Sequence, residues 1–168
     1  MSDGLACEID MPLAWRPATL DEAARHSRIR TAALLLSALN QMESGHEAEA
    51  GGPENRRQER IEAKLDLTLH LLARALDQGE LAACRTVRLS ADGAQWPDAA
   101  PPAAGTAVLL IMRPSEALPL NLEIPGIARE PLGGEARVGF EDLSEALDAA
   151  LYQFVFRRHR QAIRARGG

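Results

Sequence analysis

Residues 55–78, NRRQERIEAKLDLTLHLLARALDQ, run without a proline or glycine, and Gly79 follows them. Asn55 with Gln58 suits an N-cap and capping box, and glycine is the residue that most easily takes the left-handed conformation just past a helix end. Ile61, Leu65, Leu69, Leu72 and Leu76 recur at spacings of four and three, which predicts one apolar stripe along a helix. Leu67 and Leu71 fall off that stripe, about 120–200° around at about 100° per residue. A helix with two apolar faces has to be covered from two directions. A neighbouring helix within the chain can cover one, and further copies of the chain are the alternative for the rest. Leu65, Leu69, Leu72 and Leu76 have the four-three-four spacing of coiled-coil core positions over a short span, so the stripe is the candidate oligomer interface.

On either side of this helix the apolar period changes. Ile9, Met11, Leu13 and Trp15 alternate with other residues, a half-buried strand that Arg16-Pro17 ends. Thr19 with Glu22 forms a capping box for a helix to about residue 43, with Ala32, Leu35, Leu36, Leu39 and Met42 on its apolar face. Residues 44–54, rich in Gly, Glu, Ala and Pro, read as a loop. After Gly79, strands are expected at 84–89 and on to Trp96 around the turn Ser90-Ala91-Asp92-Gly93, with a further strand over 106–112 covered on both faces. Leu118, Leu120, Leu122 and Ile124 alternate into the next strand, where Pro125-Gly126 suggests a bend or bulge. Gly133-Gly134 signals a hairpin into a strand over 136–140, and a last helix starts at Asp142, with Leu147, Leu151, Phe154 and Val155 facing inward. The order strand, two helices, five strands, helix is not that of a parallel α/β fold. It predicts an α+β domain over residues 1–168: a small antiparallel barrel of about six strands, a helical hairpin inserted at 19–79 after strand 1, and a C-terminal helix.

The chemistry on offer is sparse. His26, His46, His70 and His159 are scattered, and no HExxH, GxSxG or phosphate-cradling loop is present, so neither catalysis nor a metal or other cofactor is expected. Cys7 and Cys84 fit no paired metal or redox spacing and read as buried free thiols. A formal net charge of -5 argues against a nucleic-acid partner, and the longest apolar run, 107–112, is too short to span a bilayer. With no apolar leader in residues 1–10, a cytoplasmic protein is the expectation. The informative stretch is TVRLSADGAQW, residues 86–96. A strand entering a Ser-x-x-Gly turn beside an arginine offers a hydroxyl, backbone N–H groups and a guanidinium to an anion or nucleotide.

That stretch resembles the second signature of PilZ domains, small barrels that act as cyclic di-GMP receptors, whose pattern is Asp or Asn, x, Ser, x, x, Gly. Ser90 and Gly93 match it, whereas Arg88 stands where the family has Asp or Asn. The segments MPLAWR (11–16), RIEAKLDLTLHLLARAL (60–76), VRLSADGAQW (87–96) and LYQFVFRRHRQAI (151–163) resemble, in their order, the narrower group of atypical, tetrameric PilZ proteins. The resemblance implies a homotetramer built through the inserted helix, and a signalling role exercised through cyclic di-GMP and an unidentified protein partner. The Arg-x-x-x-Arg motif that such domains carry before the first strand has no counterpart in residues 1–8, and Arg56 and Arg60 have its spacing only at the start of the long helix. A modified ligand site would draw on Arg88, Ser90, Asp92, Gly93, Arg157 and Arg158. The alternative is an oligomerisation scaffold that has lost dinucleotide binding.

Overall fold

The computed structural model describes residues 5–45, 82–115 and 121–166, together with Ile61, Leu65 and Thr68. Six strands, β1 (Ala6–Pro17), β2 (Cys84–Ser90), β3 (Gly93–Pro97), β4 (Ala107–Met112), β5 (Leu122–Leu132) and β6 (Glu135–Phe140), close into an antiparallel barrel in the order β1-β2-β3-β6-β5-β4. β1 makes closure possible. Its first half pairs with β2, from Ala6 opposite Ser90 to Pro12 opposite Cys84, and its second half pairs with β4, from Leu13 opposite Met112 to Pro17 opposite Val108. Period-two alternation sends Cys7, Met11, Leu13, Val87, Leu89 and Trp96 inward and leaves Glu8, Asp10, Thr86 and Arg88 outside.

The two glycine-bearing hairpins work differently. Gly133 and Gly134 have φ of +62° and +84°, the two left-handed residues of a type I′ turn, and Leu132 pairs with Glu135 across them. Between β2 and β3 the turn residues are Ala91 and Asp92, neither at positive φ, and Gly93 is already the first residue of β3, paired with Ser90. The expected irregularity at Pro125-Gly126 is absent: β5 pairs with β4 without a break there, and the register shift lies between Arg129 and Leu132. Gly126 serves close approach instead, since a Cβ there would sit 2.6 Å from Val138 Cγ1 and 2.7 Å from the Gly139 carbonyl oxygen. Leu118 and Leu120 lie outside the described residues.

Helix α1 (Glu22–Gly45) packs on β5 and on α2 (Glu145–Arg166), which in turn lies against β1 and β2. Both begin later than the sequence suggests. Asp21, not Thr19, caps α1 by accepting from the Ala24 N–H at 2.7 Å, and Ser144 Oγ, not Asp142, accepts from the Leu147 N–H at 3.3 Å. Asp142 is instead a bend residue at φ 51°, ion-paired with Arg25 at 3.2 Å. Leu147, Leu151, Phe154 and Val155 are buried as expected, and Ile29, Ala32, Ala33, Leu36 and Leu39 of α1 join the same hydrophobic core. The first arm of the insertion thus belongs to the barrel's core. Of the second arm, Ile61, Leu65 and Thr68 are helical.

Candidate functional site

The outer wall of the barrel at the β2–β3 hairpin is built from two cross-strand rows. In one, Ala6, Ser90, Gly93, Gly139 and Ile127 lie side by side on β1, β2, β3, β6 and β5. In the other, Glu8, Arg88, Gln95, Arg137 and Arg129 occupy the same five strands. Same-face positions are two residues apart along each strand, so the second row borders the first.

The first row is a floor. A Cβ on Gly93 would collide with the Val138 carbonyl oxygen, so this position requires glycine because of cross-strand approach rather than turn geometry. At Gly139 a Cβ would lie 2.7 Å from Arg129 Nε and 2.9 Å from Arg129 Nη2, which places that guanidinium over bare backbone. Ser90 Oγ donates to the Gly93 carbonyl at 3.2 Å, closing the hairpin and leaving the hydroxyl oxygen as an acceptor. Asp92 is exposed, and its carbonyl accepts from the Phe140 N–H at 2.8 Å. Arg129 is held by Glu141 at 2.5 Å, and the Gln95 amide is tied to Glu135.

Of the residues singled out in the sequence, Arg88, Ser90, Asp92 and Gly93 are thus brought to one hairpin. Arg157 and Arg158 sit elsewhere, on α2, where both are held by residues near the end of α1. Arg157 donates to the Asn40 carbonyl at 2.9 Å and to Asn40 Oδ1 at 3.0 Å, and pairs with Glu43 at 2.5 Å. Arg158 reaches the other Glu43 oxygen at 2.8 Å, with its guanidinium 5.2 Å from the Phe154 ring centre. Asn40, buried, returns a hydrogen bond to the Ala150 carbonyl at 2.9 Å. These contacts clamp the end of α1 to α2. Gly139, Arg129 and Arg137 were missed, because only strand register brings them to the signature hairpin.

Burial pushes the Cys7 thiol up to about 11, against the opposing field of Arg158, so this cysteine is an inert core residue. Cys84, expected to be buried, is exposed at the start of β2, where alternation turns it outward. Among the described residues no cluster of His, Cys, Asp or Glu is placed to hold a metal ion, and no helix is long and apolar enough to cross a membrane. In the long stretch Ile61 and Leu65 are 52% and 56% exposed, whereas Leu69, Leu72 and Leu76 lie outside the described residues, as do Arg56 and Arg60.

Comparison with known proteins points the same way. No curated protein matches the chain closely enough to count as a relative. Among solved structures, a pathogenic protein from Xanthomonas campestris, described as a new tetrameric PilZ domain self-assembled via an unusual helical bundle, is similar at 28% sequence identity with a TM-score of 0.77, over 97% of this chain and 92% of that one. Residues 34–166 match the family model of the atypical PilZ domain, cyclic di-GMP receptor. With the six-stranded barrel, the Ser90–Gly93 hairpin and a family match over most of its length, this chain belongs to the atypical PilZ domain family.

Proposed function

We propose that the protein is a non-catalytic signalling adaptor that self-associates through its long helix and takes cyclic di-GMP on the outer barrel wall at the Ser90–Gly93 hairpin. The observation that carries the ligand half is the floor of Gly93 and Gly139 beside Ser90 and Arg88: a flat base can approach bare backbone there while the hydroxyl and guanidinium meet polar atoms of the dinucleotide. The side chain of Asp92 is exposed at the rim, within the turn. Arg157 and Arg158, tied to Asn40 and Glu43, serve the scaffold. Support for self-association comes from the exposed Ile61 and Leu65 on the leucine stripe and from the tetrameric relative. A partner protein for the assembled adaptor follows from the same reading.

A scaffold without a ligand is the second reading, favoured by Arg88 at the signature's Asp or Asn position. Titration calorimetry with cyclic di-GMP separates the two. Binding heat that disappears in Ser90→Trp supports the receptor; no heat from folded protein at high concentration leaves the scaffold.

A further inference from the structure

We propose that Arg137 and Arg129 extend the anion-binding group that Arg88 begins, so that the two phosphodiesters of cyclic di-GMP are met by one row of arginines across β2, β6 and β5. This rests on the receptor reading above and adds to it the residues that grip the phosphates.

The barrel's register carries the inference. Arg88 stands opposite Gln95, Gln95 opposite Arg137, and Arg137 opposite Arg129. Adjacent strands lie about 4.8 Å apart, so Arg88 and Arg137 are rooted about 10 Å from one another with one strand between them, and Arg129 is one strand further. Arg137 and Arg129 are directly opposed across β6 and β5, so two guanidinium side chains are rooted side by side on the outer face of the barrel. Both border the floor row, and the Arg129 guanidinium already lies over Gly139. A planar guanidinium over bare backbone is set to stack on a base or to fork onto phosphate oxygens. The neighbouring carboxylates bound the site. Glu141 pairs with Arg129 and is the group a phosphate would displace, Glu135 is engaged by Gln95, and Glu8 closes the row at β1.

The test is titration calorimetry of the full chain with cyclic di-GMP, comparing wild type with Arg88→Ala, Arg137→Ala, Arg129→Ala and Gly139→Ala, with circular dichroism to confirm folding. Arg30→Ala, an exposed arginine on α1, controls for loss of charge. Arg137→Ala and Arg129→Ala are each expected to weaken binding about 10-fold or more, as for other charge-assisted hydrogen bonds. Gly139→Ala, which displaces Arg129 without changing any charge, is expected to weaken it several-fold, and Arg30→Ala to leave it unchanged. Affinity should fall with salt less steeply in the row variants than in wild type. If Arg137→Ala and Arg129→Ala both bind within about twofold of wild type, the row is overturned, and a loss confined to Arg88→Ala then leaves the receptor reading standing. Absence of binding by folded wild type overturns both.

Discussion

Trp15 and Trp96 donate their indole N–H groups to the same carboxylate oxygen, Oδ2 of Asp98, at 3.1 and 3.0 Å. Arg85 adds an ion pair to that oxygen at 3.2 Å, and the other oxygen accepts from the Ala100 N–H at 3.1 Å. One side chain in the loop after β3 thereby ties β1, β2 and β3 together. With Trp96 fully buried and the Asp98 side chain only 10% exposed, removal of the carboxylate leaves two indole donors without their partner. Asp98→Ala should therefore cost about 2–4 kcal/mol, read as a lower urea midpoint with an unchanged slope.

The same carboxylate gives a pH dependence of defined sign. Burial acts to raise the Asp98 pKa, but the hydrogen bonds from Trp96, Ala100 and Trp15 and the Arg85 guanidinium outweigh it and hold the carboxyl below its usual value. A carboxylate whose pKa is lower folded than unfolded contributes its full stability above the unfolded value, about 3.9, and loses it as pH falls through the folded one. Urea titrations from pH 6 down to about pH 3 should show this loss in wild type. In Asp98→Asn that component should be missing, so the stability difference between the two proteins narrows on acidification.

Gly93 and Gly139 are neighbours in one row, yet alanine should affect them differently. At Gly93 the new methyl meets the Val138 carbonyl, which is backbone and held in the β3–β6 pairing. At Gly139 it meets the far end of Arg129, a flexible side chain about half exposed. Gly93→Ala is expected to destabilise by about 1–3 kcal/mol as an overpacked site does, lowering Tm by about 2–10 °C. Gly139→Ala should stay within about 1 kcal/mol. Equal losses in thermal unfolding would show that Arg129 is as rigid as the backbone.

Arg157 offers a third contrast. Its guanidinium side chain is 13% exposed and bridges Asn40 and Glu43, whereas Arg160 lies one turn along, exposed, over the Phe156 ring at 5.7 Å. Arg157→Ala leaves Glu43 to Arg158 alone and removes the guanidinium donors from the Asn40 carbonyl and side-chain oxygens, which should cost about 1–3 kcal/mol. Arg160→Ala should change stability by less than about 0.5 kcal/mol. A loss of cyclic di-GMP affinity in Arg157→Ala without any loss of stability would return that residue to the ligand site.

What could be read in the sequence follows from how local its cause is. Gly133-Gly134 announced its hairpin because two left-handed residues in succession have few other uses. The inward residues of β1 and α2 were legible as period, since a buried face repeats along its own element. Caps were less so: Thr19 and Asp21, or Asp142 and Ser144, are equivalent by residue type, and the path by which the chain leaves the barrel selects between them. Gly93 was found for the wrong local reason, as a turn residue, when its need lies in the approach of β6. The arginine row was invisible. Arg88, Arg137 and Arg129 share no spacing, and only the pairing of four strands makes them adjacent.

The leucine stripe ends where the barrel's own logic stops. The described core draws on α1, α2 and the strands, while the helical residues Ile61 and Leu65 remain more than half exposed, and the apolar periodicity of the sequence around them demands cover. In the proposed self-association a second copy would supply an equivalent stripe, and a carboxylate placed in such a seam would have to be desolvated without a partner. Leu69→Glu or Leu72→Glu should therefore reduce the assembly to smaller species by light scattering at tens of micromolar, about the range that reveals weak association. Circular dichroism should be retained in both, because the strand pairings among the described residues are made by β1 to β6 alone. An unchanged mass in both variants would move the interface to another apolar surface. The exposed Tyr152 and Phe156, stacked on α2 with ring centres 6.3 Å apart, would then be the place to substitute next.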